Sequence, residues 1–492
     1  MFQSLKNTLG GWMRPSAPAM DGGALFILRS LSEQGKEAYV VGGCVRDMLM
    51  GNPPHDWDIT TSARPGETKE ILEKAGCHCV DGGGRRFGTV IAVKDGTPYE
   101  VTTFRSESYG QDAHRPESVA FADTLDEDLS RRDFTVNAMA MDAEGTVYDP
   151  FGGQKDLRHK KLRTVGKAEE RFQEDALRLF RACRFLGQLD FMADSSLVAG
   201  MKPAFQRVRG LSLERVKSEV ERLLVSPHAG RGLDLLVRTG LSEEHCRVKE
   251  NGVYQEIAIL PELSHLVGLP QMKEFHKYDG WYHTLAVVEA SPAERIARWA
   301  ALLHDVGKGM PGVRRVEGEK ITDYNHDHVG ARMAETLLTR WRFPKKEVHL
   351  ISWLVENHMK FHYFANVEEA DVVKWVRRLA REKAFPTQSE LAEAIRYCTA
   401  LCQADIIGCG RPLSATVGHG EFGRCMEDIA LATPVTYKDL HYQPETIEAL
   451  GPFVKEGLLN LLTRVQNGVL ANDPETLLQA ARRFRKRHEH ES

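Results

Sequence analysis

The 492-residue chain lacks any apolar run near the ~18 residues that a membrane-spanning helix needs. Its first sixteen residues carry Lys6 and Arg14 but no apolar core with a small-residue cleavage site, so a secretory signal is not expected. A cysteine framework is missing too. The nine Cys are odd in number and scattered, and the closest pair, Cys77 and Cys79, is not spaced like a zinc ribbon. Reduced thiols and a cytoplasmic setting are expected. Nor does one sign of charge dominate. Lys+Arg number 65 against 69 Asp+Glu, giving a net charge of −4, which excludes a chain that is basic all over. A local basic surface able to grip nucleic acid is still permitted. No internal repeat and no low-complexity tract is present. Collagen, coiled coil, disulfide scaffold and membrane protein are set aside.

What is present looks like a soluble globular protein, with 42% hydrophobic and 27% charged residues. At roughly 100–200 residues per domain, the length suggests about three domains. Strand and helix patterns alternate as far as Pro150. Residues 24–34, 45–50 and 66–75 read as helices, and residues 38–41 and 55–60 as strands. Residues 88–94 and 98–104 read as strands around an Asp95-Gly96 turn of the hairpin type. Residues 136–141 and 146–148 repeat the pattern. Residues 106–131 show little periodicity and read as a long functional or mobile loop. Beyond residue 168 the pattern is almost wholly helical, for example over 174–186, 213–224, 296–304, 329–340 and 370–379. A Pro/Gly-rich stretch at 261–270 suggests a join between two helical blocks.

Asp56-Trp57-Asp58 lies in a strand-like stretch, where side chains at i and i+2 share a face. Two carboxylates that close are costly without a cation. Mg²⁺ is the natural partner, since it favours carboxylate oxygens and substrate phosphates. Glu100, on a neighbouring strand candidate, would add a third acid, a set that suits two-metal phosphoryl transfer. Upstream, Gly42 and Gly43 follow a strand and open a helix, where backbone N–H groups can meet phosphate and Arg46 can add charge.

Together these strings resemble the signature of class II tRNA nucleotidyltransferases, the CCA-adding enzymes and related bacterial poly(A) polymerases. The resemblance runs through residues 41–51 and 56–63. It continues through the strand Glu100-Val101-Thr102-Thr103-Phe104-Arg105 and the stretch Arg131-Arg132-Asp133-Phe134-Thr135-Val136-Asn137. Asp149-Pro150-Phe151-Gly152-Gly153, Glu174-Asp175-Ala176-Leu177-Arg178-Leu179-Phe180-Arg181, and Ser212-Leu213-Glu214-Arg215 with Glu219 complete it. It implies an α/β nucleotidyltransferase palm, a mixed β-sheet with helices, followed by an all-α neck and body. It also implies transfer of CMP and AMP from CTP and ATP to a tRNA 3′ end. Arg131, Arg132 and Asp133 would contact triphosphate and ribose. Glu174, Arg178 and Arg181, at i, i+4 and i+7, would share one helix face with Asp175 beside them. Cytosine and adenine both offer an amino donor beside a ring-nitrogen acceptor. A carboxylate and a guanidinium can match that pair, whereas uracil and guanine present a carbonyl to the carboxylate.

A second motif lies downstream. The apolar helix of Trp299 to Leu303 ends in His304-Asp305 with Gly307-Lys308 beyond, and resembles the HD phosphohydrolase motif. By that resemblance His283 and Asp405 are its partners, and His328 and His358 the extra ligands of two-metal members. Imidazole with carboxylate suits a transition metal, and a metal-dependent ester hydrolase is the implied activity of an all-α HD domain. The expected parts are a leader over 1–22, the catalytic domain over 23–155, neck and body over 156–270, HD domain over 271–412 and a helical tail over 413–492. Basic clusters at 158–163 and 482–487, the second with Phe484, are candidates for tRNA phosphate contacts. Three alternatives stand beside CCA addition. One is narrower chemistry (A-only, CC-only or poly(A) addition). Another is an HD hydrolase that uses the first half as an RNA-binding module, and the last is a silent RNA-binding protein. Oligomeric state is not legible.

Overall fold

The computed structural model describes residues 19–81, 88–109, 116–367 and 370–491, so most of the expected leader lies outside the described residues. Two compact units divide the chain. The first joins Met1–Leu223 to Arg231–Ile259, and the second joins Leu224–Gly230 to Leu260–Ser492.

The first unit begins with α1 (Gly22–Ser32), β1 (Ala38–Val41), α2 (Gly43–Leu49), β2 (Asp58–Thr61), α3 (Pro65–Lys74), β3 (His78–Asp81), β4 (Thr89–Lys94) and β5 (Thr97–Thr103). There follow β6 (Arg105–Tyr109), β7 (Pro116–Phe121), α4 (Leu125–Ser130), β8 (Ala140–Met141) and β9 (Val147–Tyr148). A seven-stranded sheet runs β3-β4-β5-β2-β1-β8-β9. Within it β2 and β5 are parallel, while the other pairs are antiparallel.

The two-residue period of a strand decides what each face carries. Ala38, Val40, Ile59, Val90, Ala92, Tyr99 and Val101 all enter one core, beneath Ile27, Leu28 and Leu31 of α1 and Leu72 of α3. Tyr39 and Val41 alternate to the opposite face, where a second cluster holds Phe104, Leu125, Leu129 and Ala140. The β4–β5 turn has positive φ at Asp95 (50°) and Gly96 (84°), as a type I′ hairpin requires.

Two expectations fail here. Of the loop expected over 106–131, residues 110–115 lie outside the described residues, and the rest is ordered otherwise: β6 and β7 pair antiparallel and α4 follows with a Thr124 capping box. Of the strand expected at 136–141, only β8 pairs, since Thr135–Asn137 forms a 3-10 turn.

The helical part of this unit comprises α5 (Gly153–Arg158), α6 (Ala168–Glu174), α7 (Leu177–Leu189), α8 (Ser195–Met201), α9 (Leu213–Leu224) and α10 (Ala229–Arg238). A hairpin of His245–Glu250 and Val253–Ala258 interrupts the expected all-α character. The single helix expected over 174–186 is two helices. Asp175 leaves helical geometry (φ −141°, ψ 103°) and accepts the Leu177 N–H at 2.9 Å, as a helix-capping aspartate does.

The second unit carries α11 (Gly280–Ala290), α12 (Arg295–Leu303), α13 (His326–Arg340), α14 (Lys345–Asn366), α15 (Val372–Arg381) and α16 (Gln388–Gly408). A hairpin of Arg314–Glu317 and Lys320–Asp323 lies between α12 and α13. Helices Val417–Ala432, Pro444–Leu450, Val454–Gln466 and Pro474–Glu491 complete it. Phe484 is buried in the core of the terminal helices and stacks on His488, so it is not free to contact RNA beside the basic cluster that flanks it. Arg482, Arg483, Lys486 and Arg487 around it are exposed, as are Arg158, His159, Lys160 and Lys161 in the first unit. Among the described residues no helix is long and apolar enough to cross a membrane.

Candidate active site and candidate metal centre

The parallel register of β2 and β5 sets Asp58 directly beside Glu100. Their neighbours Ile59 and Val101 point into the core, so both acids face the other way. Asp56 lies just before β2, exposed like the other two. Burial of the Asp58 surroundings raises that carboxyl's pKa, the Arg132 charge opposes the rise, and Asp56 adds to it. The three acids thus share one rim of the sheet.

Arg132 is a cation whose charge acts on this rim. Gly42, at φ 80°, admits it: a Cβ there would stand 2.9 Å from the Arg132 Nη1. The residue that fixes Arg132 was not evident from sequence. Asp128, fully buried on α4, accepts from Arg131 at 2.9 and 3.0 Å and faces Arg132 Nη2 at 3.7 Å. It also takes the Thr60 hydroxyl (3.1 Å) and the Arg105 N–H (3.3 Å). Burial would raise its pKa, but Arg131 and Arg132 hold it below the usual carboxylate range. Arg46 is turned toward Asp47 (2.9 Å) and Asn137 (2.6 Å).

Asp133 is buried with both oxygens engaged. Oδ2 accepts from Arg181 Nε and Nη2 (2.7 and 2.6 Å), and Oδ1 from the Phe134 N–H and Asn137 Nδ2 (2.8 and 3.2 Å). Against the effect of burial, Arg181 and Arg178 draw its pKa down to about 2. Four donors use the capacity of a carboxylate, so in this structure Asp133 is the anchor of Arg181.

Arg178 is set in place by Glu174 Oε2 (2.7 Å), the Arg171 carbonyl (3.0 Å) and the Arg131 carbonyl (2.8 Å). Asp175 is buried close by, and burial pushes its carboxyl up to about 6. Beneath them Arg184 meets Glu219 at 2.6 Å, both buried.

The second unit gathers a separate cluster. Asp305 Oδ2 lies 3.3 Å from Nε2 of both His283 and His304, and Oδ1 lies 3.4 Å from His326 Nε2 and 4.0 Å from His358 Nε2. Asp405 Oδ1 is 3.1 Å from His283 Nε2. His362, which was not expected here, meets Asp405 Oδ2 at 2.9 Å. His304, His326 and His358 each turn Nδ1 to a main-chain carbonyl (Ala301, Asp323 and Val355, at 2.8, 2.8 and 2.6 Å). With Nδ1 as donor, Nε2 keeps its lone pair toward the centre, the usual second support of a metal-binding imidazole. His326 Nε2 and His358 Nε2 are buried with no hydrogen-bond partner, as a ligand atom awaiting an ion would be. Burial, with His326 and His304 nearby, drops His358 to about 3, so it is neutral. The donor set fits a transition-metal ion.

His328 does not belong to this set. It is exposed and meets Glu356 at 3.0 Å. Residues two apart on a helix point to nearly opposite sides, so His326 and His328 cannot both face inward. His326 wins because the helix start presses on the HD turn: a Cβ at Gly307 would lie 2.1 Å from the His326 carbonyl oxygen. The readable signal was the buried series His326, Gly330, Ala334, Leu337 at helical spacing.

Three family matches run in order along the chain. Residues 38–163 match the Poly A polymerase head domain, residues 190–246 the probable RNA and SrmB- binding site of polymerase A, and residues 280–407 the HD domain. The CCA-adding enzyme of Geobacillus thermodenitrificans (strain NG80-2) is 43% identical over 58% of this chain and 63% of its own length. That of Geobacillus kaustophilus (strain HTA426) is 47% identical over 44% and 53%. The chain thus spans between half and two thirds of the curated relatives it matches. The crystal structure of the Bacillus stearothermophilus CCA-adding enzyme in complex with CTP is 30% identical with a TM-score of 0.63, covering 98% of this chain and 100% of that one. The Thermotoga maritima CCA-adding enzyme complexed with tRNA is 17% identical with a TM-score of 0.51 over 94% and 95% of the two chains, a likeness of fold.

Proposed function

Since this chain belongs to the CCA-adding enzyme family, we propose that it transfers CMP and AMP from CTP and ATP to the 3′ end of a tRNA. The observation that carries this reading is the pairing of Asp58 with Glu100 on one face of the sheet, with Asp56 beside them and Arg132 over Gly42.

In this reading the terminal ribose hydroxyl attacks the α-phosphorus in line, and pyrophosphate leaves. Asp56, Asp58 and Glu100 would hold Mg²⁺, which when bound neutralises charge on the triphosphate and makes the hydroxyl a better nucleophile. The carboxylates themselves form no bond to the substrate. Arg131 and Arg132 grip the phosphates, and Asp128 fixes the direction of both forks before the nucleotide arrives. Gly42 and Gly43 give the phosphates room to approach the backbone, and Arg46 adds positive charge at that helix end.

Asp175 accepts from the exocyclic amino group of C or A while Arg178 donates to the ring nitrogen. A uracil or guanine carbonyl would face the Asp175 carboxylate and leave acceptor against acceptor. Glu174 holds Arg178, and Asp133 holds Arg181, so both guanidiniums are oriented in advance. The exposed basic clusters would meet tRNA phosphates.

The test is to supply three tRNAs, one lacking the whole CCA end, one its last two nucleotides and one the final A, and to sequence the products. Full restoration of all three supports CCA addition. Extension of only the last points to an A-adding relative, addition that stops after CC to a CC-adding one, and an untemplated A tail to a poly(A) polymerase. Asp58→Ala should abolish addition while sparing tRNA binding, and near-normal incorporation by that variant would contradict the metal assignment.

A second activity is favoured by the orphaned Nε2 atoms of His326 and His358. His283, His304, Asp305, His326, His358 and Asp405 would hold a transition metal for phosphate-ester hydrolysis. Ester cleavage that needs no nucleoside triphosphate and survives Asp58→Ala would assign it to this cluster.

A further inference from the structure

We propose that His276, His283 and Cys409 form a second site, joined to the His/Asp cluster through His283, for a soft divalent ion, zinc by preference. One ligand atom from each of the three lies within 4.8 Å of the others. The Cys409 sulfur is 3.4 Å from His276 Nδ1. A tetrahedral zinc with one sulfur and one nitrogen ligand holds those two atoms about 3.6 Å apart, so this edge is almost at its bound length.

His283 supplies the independent observation. Its side chain is wholly buried, and Nδ1 makes no hydrogen bond of standard geometry, the Cys409 thiol being the outer group that His283 interacts with. Nε2 already faces Asp405 and Asp305, at 3.1 and 3.3 Å. Nδ1 is therefore the atom left for an outer ion; when the inner ion also takes Nε2, the imidazole gives its remaining proton to solvent and bridges the two ions as imidazolate.

The three residues are held by main-chain bonds that do not depend on an ion. The Lys277 N–H donates to the Cys409 carbonyl at 3.3 Å, and the His276 N–H to the Met272 carbonyl at 3.0 Å. The His276 ring meets His283 edge-on at 4.9 Å. Cys409 follows Asp405 by four residues at the end of α16, which brings both to one side of that helix.

Three protein ligands leave a fourth position, as in zinc sites that keep a water. His276 and Cys409 line a cavity of about 560 Å³ that they share with Asp305, His326 and Asp405 of the inner cluster. Thiolate and imidazole select zinc over hard ions such as Mg²⁺. This site goes beyond nucleotidyl transfer and does not depend on it. The competing explanation is a plain Cys–His hydrogen bond with no ion.

The experiment uses the full chain, stripped with chelator and reloaded with Co²⁺. A thiolate ligand gives sulfur-to-cobalt charge transfer in the near ultraviolet, which carboxylate and imidazole ligands do not. The wild-type protein should show that band. Cys409→Ser and His276→Asn should each remove it and lower bound Zn²⁺ by one equivalent per chain. Zn²⁺ should also protect Cys409, but not the exposed Cys425, from alkylation mapped by mass spectrometry. Absence of the band in the wild-type protein, or equal alkylation of Cys409 with and without Zn²⁺, overturns the proposal however the variants fold.

Discussion

Replacing Asp133 with Asn removes one charge and almost no volume. The side chain is 8% exposed and carries Arg181 on Oδ2. Its pKa falls from an ordinary 3.8 to about 2, because Arg181 and Arg178 outweigh the effect of burial. A gap of nearly two pH units corresponds to about 2 kcal/mol in favour of the charged form. Asparagine resembles the protonated acid, so Asp133→Asn should destabilise the first unit by about 2 kcal/mol, roughly thirtyfold in its folding equilibrium. The folded value lies below the unfolded one. The contribution is therefore complete above pH ~3.8 and is lost as pH falls through about 2. Between about pH 8 and pH 5 the penalty should stay constant. Hydrogen exchange at the amides of 134–137 and α7, followed in graded urea, reads this unit alone. Adding Arg181→Gln to Asp133→Asn should cost less than the sum of the two single changes, since they break the same pair. Unchanged protection in Asp133→Asn, or a penalty that fades between those two pH values, would refute the reasoning.

Asp128→Ala leaves Arg131 and Arg132 without their buried anion. It should raise KM for the nucleotide at least tenfold in steady-state incorporation and lower stability by about 3–5 kcal/mol by thermal unfolding, as broken buried pairs do. Asp175, pushed up to about 6 by burial, takes up a proton as pH falls through that value. Its folded pKa exceeds the unfolded 3.8, so its charge costs stability above about 6, and that cost disappears by about 3.8. CTP affinity by calorimetry should accordingly weaken below pH ~6, and Asp175→Asn should flatten that dependence. His326→Ala should lose metal from the second unit by elemental analysis while His328→Ala keeps it, the reverse of the sequence expectation. Gly307→Ala drives a methyl to 2.1 Å from the His326 carbonyl oxygen and should cost about 1–3 kcal/mol in melting measurements.

The features legible in sequence were those whose chemistry is local. Asp56, Asp58 and the His304-Asp305 doublet could be found because two residues suffice to state the problem they pose. The 95–96 turn was legible because few residues tolerate that backbone. Asn137 escaped because its partner Arg46 is 91 residues away, and the burial of Asp128 escaped because it depends on Thr60, 68 residues away, although its pairs with Arg131 and Arg132 are local. No string spacing encodes such meetings. The break at Asp175 was missed because a continuous helix was drawn through a residue whose side chain competes for backbone N–H groups. His326 and His328 both fit the order of histidines along the chain, and only the buried face of α13 distinguishes them.

Arg178 also donates to the main-chain carbonyl of Arg131, and Arg131 is in turn clamped on Asp128. The group assigned to read the base is thus bolted to the segment assigned to hold the phosphates. A nucleotide edge that does not match Arg178 would strain that shared bond, so in this reading recognition and alignment are linked through one contact. An ill-fitting letter would then be penalised at the far end of the nucleotide, where the bond is made, and fidelity would register as slower chemistry more than as weaker capture.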